Sequence, residues 1–415
     1  MGKMIIGADF VPTKSNENLF LTGNEVALIG SELVELLKGA EYRVFNLEMP
    51  ITDKYQPIDK CGPAMRGNPK TIKIYNNLQI NLFTLANNHI MDQSAEGLYD
   101  TISTLRNNNI SYLGIGRDLE EANSPYIYKS ANGKRIGFYA CAEHEFSIAK
   151  INRPGANPYD PMESFDHVKN LSSKCDYVIV LYHGGKEFYR YPSPMLQKVC
   201  RKFIEKGANL VLTQHSHCIG CQEEYQGGVI VYGQGNFLFD GGDNEFWQTG
   251  LLTSVDTDTF VCEQIPVVKV DAKVRIANEQ QREEILTKFI ERSNQIRQPG
   301  FVSTEYNKFA DEKIEGYLLS MCGIGARNVF FRIINKLSKH KYQKVFLKKK
   351  YGKNQCLALQ NYIECEAHEE LLIEGLKHFC NRSMRTVVFE ESTCQEDCDE
   401  SDCPVKEYIK TGRQA

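Results

Sequence analysis

Residues 208–240, ANLVLTQHSHCIGCQEEYQGGVIVYGQGNFLFD, decide how the rest of the chain is read. Residues 209–213 form an apolar run of strand length, and His215 and His217 follow it in the loop at its carboxyl end. Alternate residues of an extended segment point to one side, so the two imidazoles are expected to face the same way. Imidazole suits zinc, iron, nickel or copper, and mixed oxygen and nitrogen sites also accept manganese. An HxH alone is more often a surface or hydrogen-bonded pair, so a metal reading needs carboxylates and amides from elsewhere.

Those groups occur at the ends of other apolar runs. Residues 3–9 (KMIIGAD) end in Asp9, residues 42–48 (YRVFNLE) in Glu48, and residues 176–183 (DYVIVLYH) in His183. Residues 81–88 (NLFTLANN) end in Asn88, with His89 and Asp92 just beyond. Between these strands lie helical spacings at 24–38 (Val26, Ile29, Leu33, Leu36, Leu37), 70–78, the run after Ser94 (Leu98, Ile102, Leu105), and 193–206, which ends at Gly207. Ser94 is expected to cap its helix, and 126–129 with 135–141 to form a hairpin about the turn 131–134. The alternation predicts one α/β domain with a layered sheet core over residues 1 to about 270.

Ligands of open α/β sheets gather outside the carboxyl ends of strands. Asp9, Glu48, Asn88, His183, His215 and His217 each end a predicted strand or sit in the loop after one, which is hard to attribute to accident. Two cations held by a bridging carboxylate, an amide oxygen and imidazoles can activate water and grip a phosphoryl or carbonyl oxygen. His89 is then a general acid or oxyanion stabiliser, with Asp92 orienting its ring. Glu187 and Asn236 are read as substrate or supporting contacts, with loop-shaping hydrogen bonds as the alternative.

The chain has 415 residues and a formal net charge of −4, so a nucleic-acid-binding surface over its whole length is not expected, although 336–353 is locally basic. The amino terminus lacks the features of a secretory signal, and no apolar run reaches the roughly 18 residues a membrane helix needs. A cytoplasmic location without a membrane span is therefore expected, with the fourteen cysteines reduced. Cys218 and Cys221 form a CxxC without a second ligand pair nearby and are read as inert thiols. Beyond 270 the composition turns to charged helical segments, as at 278–295 and 354–379, which predicts a helical region over 271–389. Residues 390–415 form an acidic tail with Cys394, Cys398 and Cys403 and little to bury, expected to be disordered.

As an ordered set the motifs resemble the CapA family of poly-γ-glutamate capsule proteins, itself similar in fold to calcineurin-like metallophosphoesterases. They are Asp9; Asn46-Leu47-Glu48-Met49-Pro50; Ala86-Asn87-Asn88-His89 with Asp92; His183, Gly185 and Glu187; His215-Ser216-His217; and Tyr232, Gly235-Asn236-Phe237 and Phe239-Asp240. The resemblance covers roughly residues 3–270 and implies a layered αββα sandwich with an appended helical region. It implies that Asp9 and His217 hold one metal, that Asn88, His183 and His215 hold a second, and that Glu48 bridges them. It also implies that His89 assists the leaving group. The related phosphoesterases usually carry D-x-H at the first block, where this chain has Asp9-Phe10-Val11, so the first metal is expected to bind more weakly.

The reading that follows is a metal-dependent hydrolase of the phosphoesterase type. It would use water activated by one or two divalent ions (manganese, iron or zinc) on an anionic small-molecule or polymer substrate. By resemblance it is linked to capsule or poly-γ-glutamate biosynthesis, with a capsule-pathway protein partner bound through the C-terminal region. The rivals are a non-catalytic component of anionic-polymer assembly and an enzyme of γ-glutamyl amide bonds.

Overall fold

The computed structural model describes residues 2–239, 243–323 and 328–376. Asp240 and the acidic tail with Cys394, Cys398 and Cys403 lie outside the described residues. The chain forms two compact units, Met1–Phe309 and Ala310–Ala415.

Among the described residues the strands all lie in the first unit: β1 (Lys3–Asp9), β2 (Tyr42–Asn46), β3 (Leu82–Thr84), β4 (Ser111–Leu113), β5 (Ile115–Gly116), β6 (Tyr126–Lys129), β7 (Arg135–Ala142) and β8 (Gly155–Ala156). They continue with β9 (Tyr177–His183), β10 (Leu210–Gln214), β11 (Ile219–Tyr225), β12 (Gly228–Gln234), β13 (Thr249–Asp256), β14 (Cys262–Val270) and β15 (Lys273–Ile276). Its helices are α1 (Glu17–Thr22), α2 (Glu25–Ile29), α3 (Ser31–Gly39), α4 (Ile72–Asn77), α5 (Ser94–Asn107), α6 (Leu119–Ala122), α7 (Ser164–Ser172), α8 (Pro194–Glu205) and α9 (Glu279–Gln295). α10 (Phe301–Met321) crosses the unit boundary, and α11 (Val329–Leu337), α12 (Lys341–Lys350) and α13 (Lys353–Glu364) follow.

One sheet runs β15-β14-β13-β1-β2-β3-β4 and the other β11-β12-β10-β9-β7-β6. Alternation along β9 shows how they stack. Ile179 and Leu181 enter a core shared with Ile5, Val44 and Phe83 of the first sheet, whereas Val178, Val180 and Tyr182 pack with Leu171 of α7 and Phe203 of α8. The result is the layered αββα arrangement that the resemblance implied. Two buried glutamines tie the sheets together: Gln214 Nε2 donates to Gly7 O (3.3 Å) and Gln234 Nε2 to Ile6 O (3.1 Å). These carbonyls lie where the register of β1 with β2 shifts between Ile6 and Asp9. Irregularities of this kind re-aim a strand end, here the end that carries Asp9.

β1, β2 and β3 are parallel neighbours in one sheet, and β9, β10 and β12 in the other, so their carboxyl ends collect on one edge of each sheet. The expected hairpin is present as β6 and β7. Gly207 adopts the left-handed conformation at the end of α8. The expected helix at 24–38 is instead two, α2 and α3, because Gly30 between them has φ +81°. Ser94 is no cap: it begins α5 with φ +61°, and its hydroxyl donates to Gln56 O (2.8 Å).

The first unit continues past residue 270 through β15 and α9, which is fastened to β11 by Arg292 Nε to Gly220 O (2.7 Å) and Gln222 N to Ser293 Oγ (2.8 Å). The described residues of the second unit are mostly helical. The 354–379 run is helical over α13 and again at 366–376, where the described residues end. Among the described residues no helix is long and apolar enough to cross a membrane.

Candidate metal centre

Asp9 and Glu48 are carboxylates with almost no access to solvent. Asn46 Nδ2 donates to Asp9 Oδ1 (2.6 Å) and is itself held through Asn46 Oδ1 by Asn87 Nδ2 (3.1 Å). Asp9 Oδ2 and both oxygens of Glu48 have no hydrogen-bond donor. Buried acceptors are nearly always satisfied, and an uncompensated buried carboxylate is costly, so these three oxygens call for a proton or a cation. Burial, with the Asp9 carboxylate added to it, pushes the Glu48 carboxyl well above its ordinary range.

Around these oxygens the side chains fall into two groups. In one, His183 Nε2 lies 3.1 Å from Asn88 Oδ1, 3.1 Å from His215 Nδ1 and 3.3 Å from Glu48 Oε1. In the other, His217 Nδ1 lies 3.4 Å from Asp9 Oδ2 and 2.9 Å from Asn236 Oδ1. Glu48, His183 and His215 have ligand atoms within 4.8 Å of one another, as do Asp9, Glu48 and His217, so Glu48 is common to both. Such groups could hold a metal, and their mixed carboxylate, amide and imidazole character fits a borderline divalent ion. Burial first, then neighbouring imidazoles, push His183 and His215 well below the usual histidine range, which leaves them neutral. His217 differs: burial alone would lower it, but the adjacent Asp9 outweighs this and holds it above its usual value.

The two histidines of the HxH do not lie on an extended segment. His215 has φ +93° and His217 φ +53°, a region that non-glycine residues rarely enter. This backbone sends His215 to the His183 group and His217 to the Asp9 group, so the expectation of two imidazoles facing one way is corrected. Val11 is fully buried in the apolar core and offers no donor to the site. Asn236, read from sequence as a substrate or supporting contact, stands at the Asp9 group.

His89 belongs to neither group. Its Nδ1 is 2.6 Å from Asp92 Oδ2, which also accepts from Met65 N (2.7 Å). Asp92 Oδ1 accepts from Lys60 Nζ (2.7 Å), and Lys60 also donates to Asn88 O (3.1 Å). Glu187 stands at the rim, half-exposed and 3.9 Å from Lys186 Nζ. Lys60, Glu145 and Trp247 carried no signal in the sequence reading. Glu145 accepts from Asn88 Nδ2 (3.3 Å) and lies 3.8 Å from His215 Nε2, so it steadies two donors at once. Trp247 stacks on His217 (centroids 4.5 Å, 21° apart) and on Phe239 (5.0 Å). The CxxC thiols are buried and free, and burial raises both, Cys218 to about 11.

Comparison with known proteins bears on this geometry. The sequence model of the family described as bacterial capsule synthesis protein PGA_cap matches residues 18–241. The PGA biosynthesis protein CapA of Bacillus subtilis (strain 168) is 30% identical over 212 residues, 50% of this chain and 55% of that protein. The capsule biosynthesis protein CapA of Bacillus anthracis is 29% identical over 216 residues, 50% of this chain and 52% of that one. The chain thus spans about half the length of these relatives. Among solved structures, a 5'-nucleotidase from Candida albicans SC5314 aligns with a TM-score of 0.37 at 10% identity, covering 75% of this chain and 57% of that one.

Proposed function

Because the chain belongs to the bacterial capsule synthesis protein PGA_cap family, we propose that its buried donor set serves a metal-dependent hydrolase acting on a phosphoester or a similarly anionic substrate. The observation that carries this reading is the convergence of three orphaned carboxylate oxygens with three imidazoles at the carboxyl ends of strands from both sheets. Asp9, Glu48, His217 and Asn236 would hold one ion, and Glu48, Asn88, His183 and His215 another, of the manganese, iron or zinc type. When bound, such ions supply Lewis acidity toward a phosphoryl or carbonyl oxygen and toward water.

The chain's own residues account for the rest. Asp92 takes the Nδ1 side of His89 and is itself neutralised by Lys60, so Nε2 of His89 is the nitrogen left to protonate a departing oxygen. Lys60 also holds the Asn88 carbonyl, which couples the position of the acid to that of a ligand. Trp247 and Phe239 cover His217 and keep water from that side of the site.

The names of the two Bacillus relatives, a PGA biosynthesis protein and a capsule biosynthesis protein, favour a second reading, in which the same centre binds or cleaves an anionic polymer such as polyglutamate. Elemental analysis of metal-replete protein, with a screen of phosphomonoesters, phosphodiesters and polyglutamate, separates the two. The first reading expects one or two equivalents of metal and turnover of a phosphoester. Less than about 0.2 equivalents would sink both, and metal without turnover of any phosphoester would leave the polymer reading.

A further inference from the structure

The second unit contains a run whose charge and exposure the metal centre does not use. Residues 328–353 carry nine Lys or Arg side chains and no Asp or Glu, within a chain whose formal net charge is −4. They form the helices α11 and α12, which pack on each other. The Phe331 ring meets Tyr342 (5.5 Å) and Phe346 (5.7 Å), and the buried Asn335 Nδ2 bonds Gln343 Oε1 (2.8 Å) and faces His340 Nδ1 (3.0 Å).

That contact uses one face of α11. At about 100° per residue, Val329, Phe330, Ile333, Ile334 and Leu337 fall within an arc of roughly 140° on the other face. All five are exposed, Phe330 at 78% and Leu337 at 81%, and Arg332 and Lys336 flank them. α12 adds Lys344, Lys348, Lys349 and Lys350, all exposed, with Val345 exposed among them.

We infer that α11 and α12 form a site that lies on the surface of an anionic lipid bilayer. An apolar arc rimmed by cations is matched by a bilayer that offers acyl chains beneath anionic headgroups. Nucleic acid would answer the cations but leave five large apolar side chains in water. α11 has nine residues, far short of the roughly 20 a bilayer span requires, so the helix rests in the interface plane. The inference is independent of the hydrolase reading and holds whichever substrate the metal centre takes.

The test is cosedimentation of the full chain with vesicles of phosphatidylcholine alone or with about a third phosphatidylglycerol, at low and high salt. Binding is expected on the anionic vesicles, at least about tenfold weaker on the neutral ones, and falling with salt. Each basic side chain near such a surface contributes roughly a fivefold factor, so Lys348→Glu/Lys349→Glu/Lys350→Glu should bind at least about 100-fold more weakly. Phe330→Asp/Leu337→Asp should also lose binding although every cation remains. These positions are exposed, so circular dichroism and metal content should match the parent. The inference is overturned by no binding to anionic vesicles, by variants that bind like the parent, by tighter binding to a duplex oligonucleotide, or by a dimer that Leu337→Asp dissociates.

Discussion

The two donor groups of the candidate metal centre share Glu48 and differ in almost everything else. Around His183 the donors are two imidazoles held neutral by burial, an amide oxygen and a carboxylate. Around Asp9 there is one imidazole, which Asp9 holds toward its charged form, two carboxylates, and the oxygen of Asn236. A metal ligand must be deprotonated, so both groups must displace the proton that burial favours on Glu48, and the second must also release one from His217. The contrast arises where Val11 turns an apolar side chain into the core, and Asn236 from the loop after β12 stands at the group instead. Two sites of unequal affinity are the expected consequence.

The largest effect should follow loss of the shared residue. Glu48→Gln keeps the volume and removes the charge common to both groups, so metal content should fall below about 0.2 equivalents and turnover should vanish with it. The chelator-treated variant should be no less stable than the chelator-treated parent, because an amide replaces an uncompensated buried carboxyl. Calorimetric titration and thermal unfolding read both. Retention of one tight equivalent would show that the groups do not depend on Glu48 in common.

Removing one histidine of the HxH should split the comparison. His215→Ala should abolish the tighter step of a metal titration and leave the weaker, whereas His217→Ala should do the reverse. Glu145→Gln, which touches donors of the His183 group only, should weaken the tighter step by about 10- to 100-fold. Two steps of equal affinity in the parent protein would mean that Asn236 makes up in full for the donor that Val11 does not supply.

A smaller, purely kinetic effect is expected outside both groups. His89→Ala should leave metal content near that of the parent and lower turnover by about 10²- to 10⁴-fold. The loss should shrink for aryl phosphates, whose leaving groups need less protonation. An unchanged rate on every substrate would make His89 a structural partner of Asp92 and Lys60.

Legibility in the sequence followed periodicity and position. The apolar runs that became β1, β2, β9 and β10 are buried on both faces and could be seen directly, and the donors at their ends with them. β3 was expected to run to Asn88 but ends at Thr84. Asn87 then turns the chain by bonding Leu47 O and Asn46 rather than a neighbouring strand. Lys60 comes from residues 52–66, which form no helix or strand and so carry no period to place it. Glu145 likewise reaches the site from an irregular segment, and Trp247 from a single 3-10 turn, Glu245–Trp247. The left-handed backbone at His215 and His217 had no marker at all, because the residues that normally signal it are glycine and asparagine.

The smallest expected effect is on stability against pH, and it sets the two groups against each other once more. In chelator-treated protein the raised Glu48 and His217 hold protons in the fold that the unfolded chain has released above about pH 6.5. The native state then binds more protons than the unfolded one, so stability falls as pH rises from about 6.5 toward 8, by about 1.4 kcal/mol per pH unit for each proton so held. His183 and His215 act below that window with the opposite sign. Their lowered values keep them neutral in the fold while the unfolded chain takes up protons, so their contribution is lost as pH falls below about 6.5. Added manganese should reverse the trend above pH 6.5, because binding requires those protons to leave and strengthens as they do. Thermal midpoints of the chelated and the metal-replete protein, measured from pH 5 to 8, should therefore diverge with rising pH. Parallel curves would mean that Glu48 and His217 do not carry the protons that the burial of this centre assigns to them.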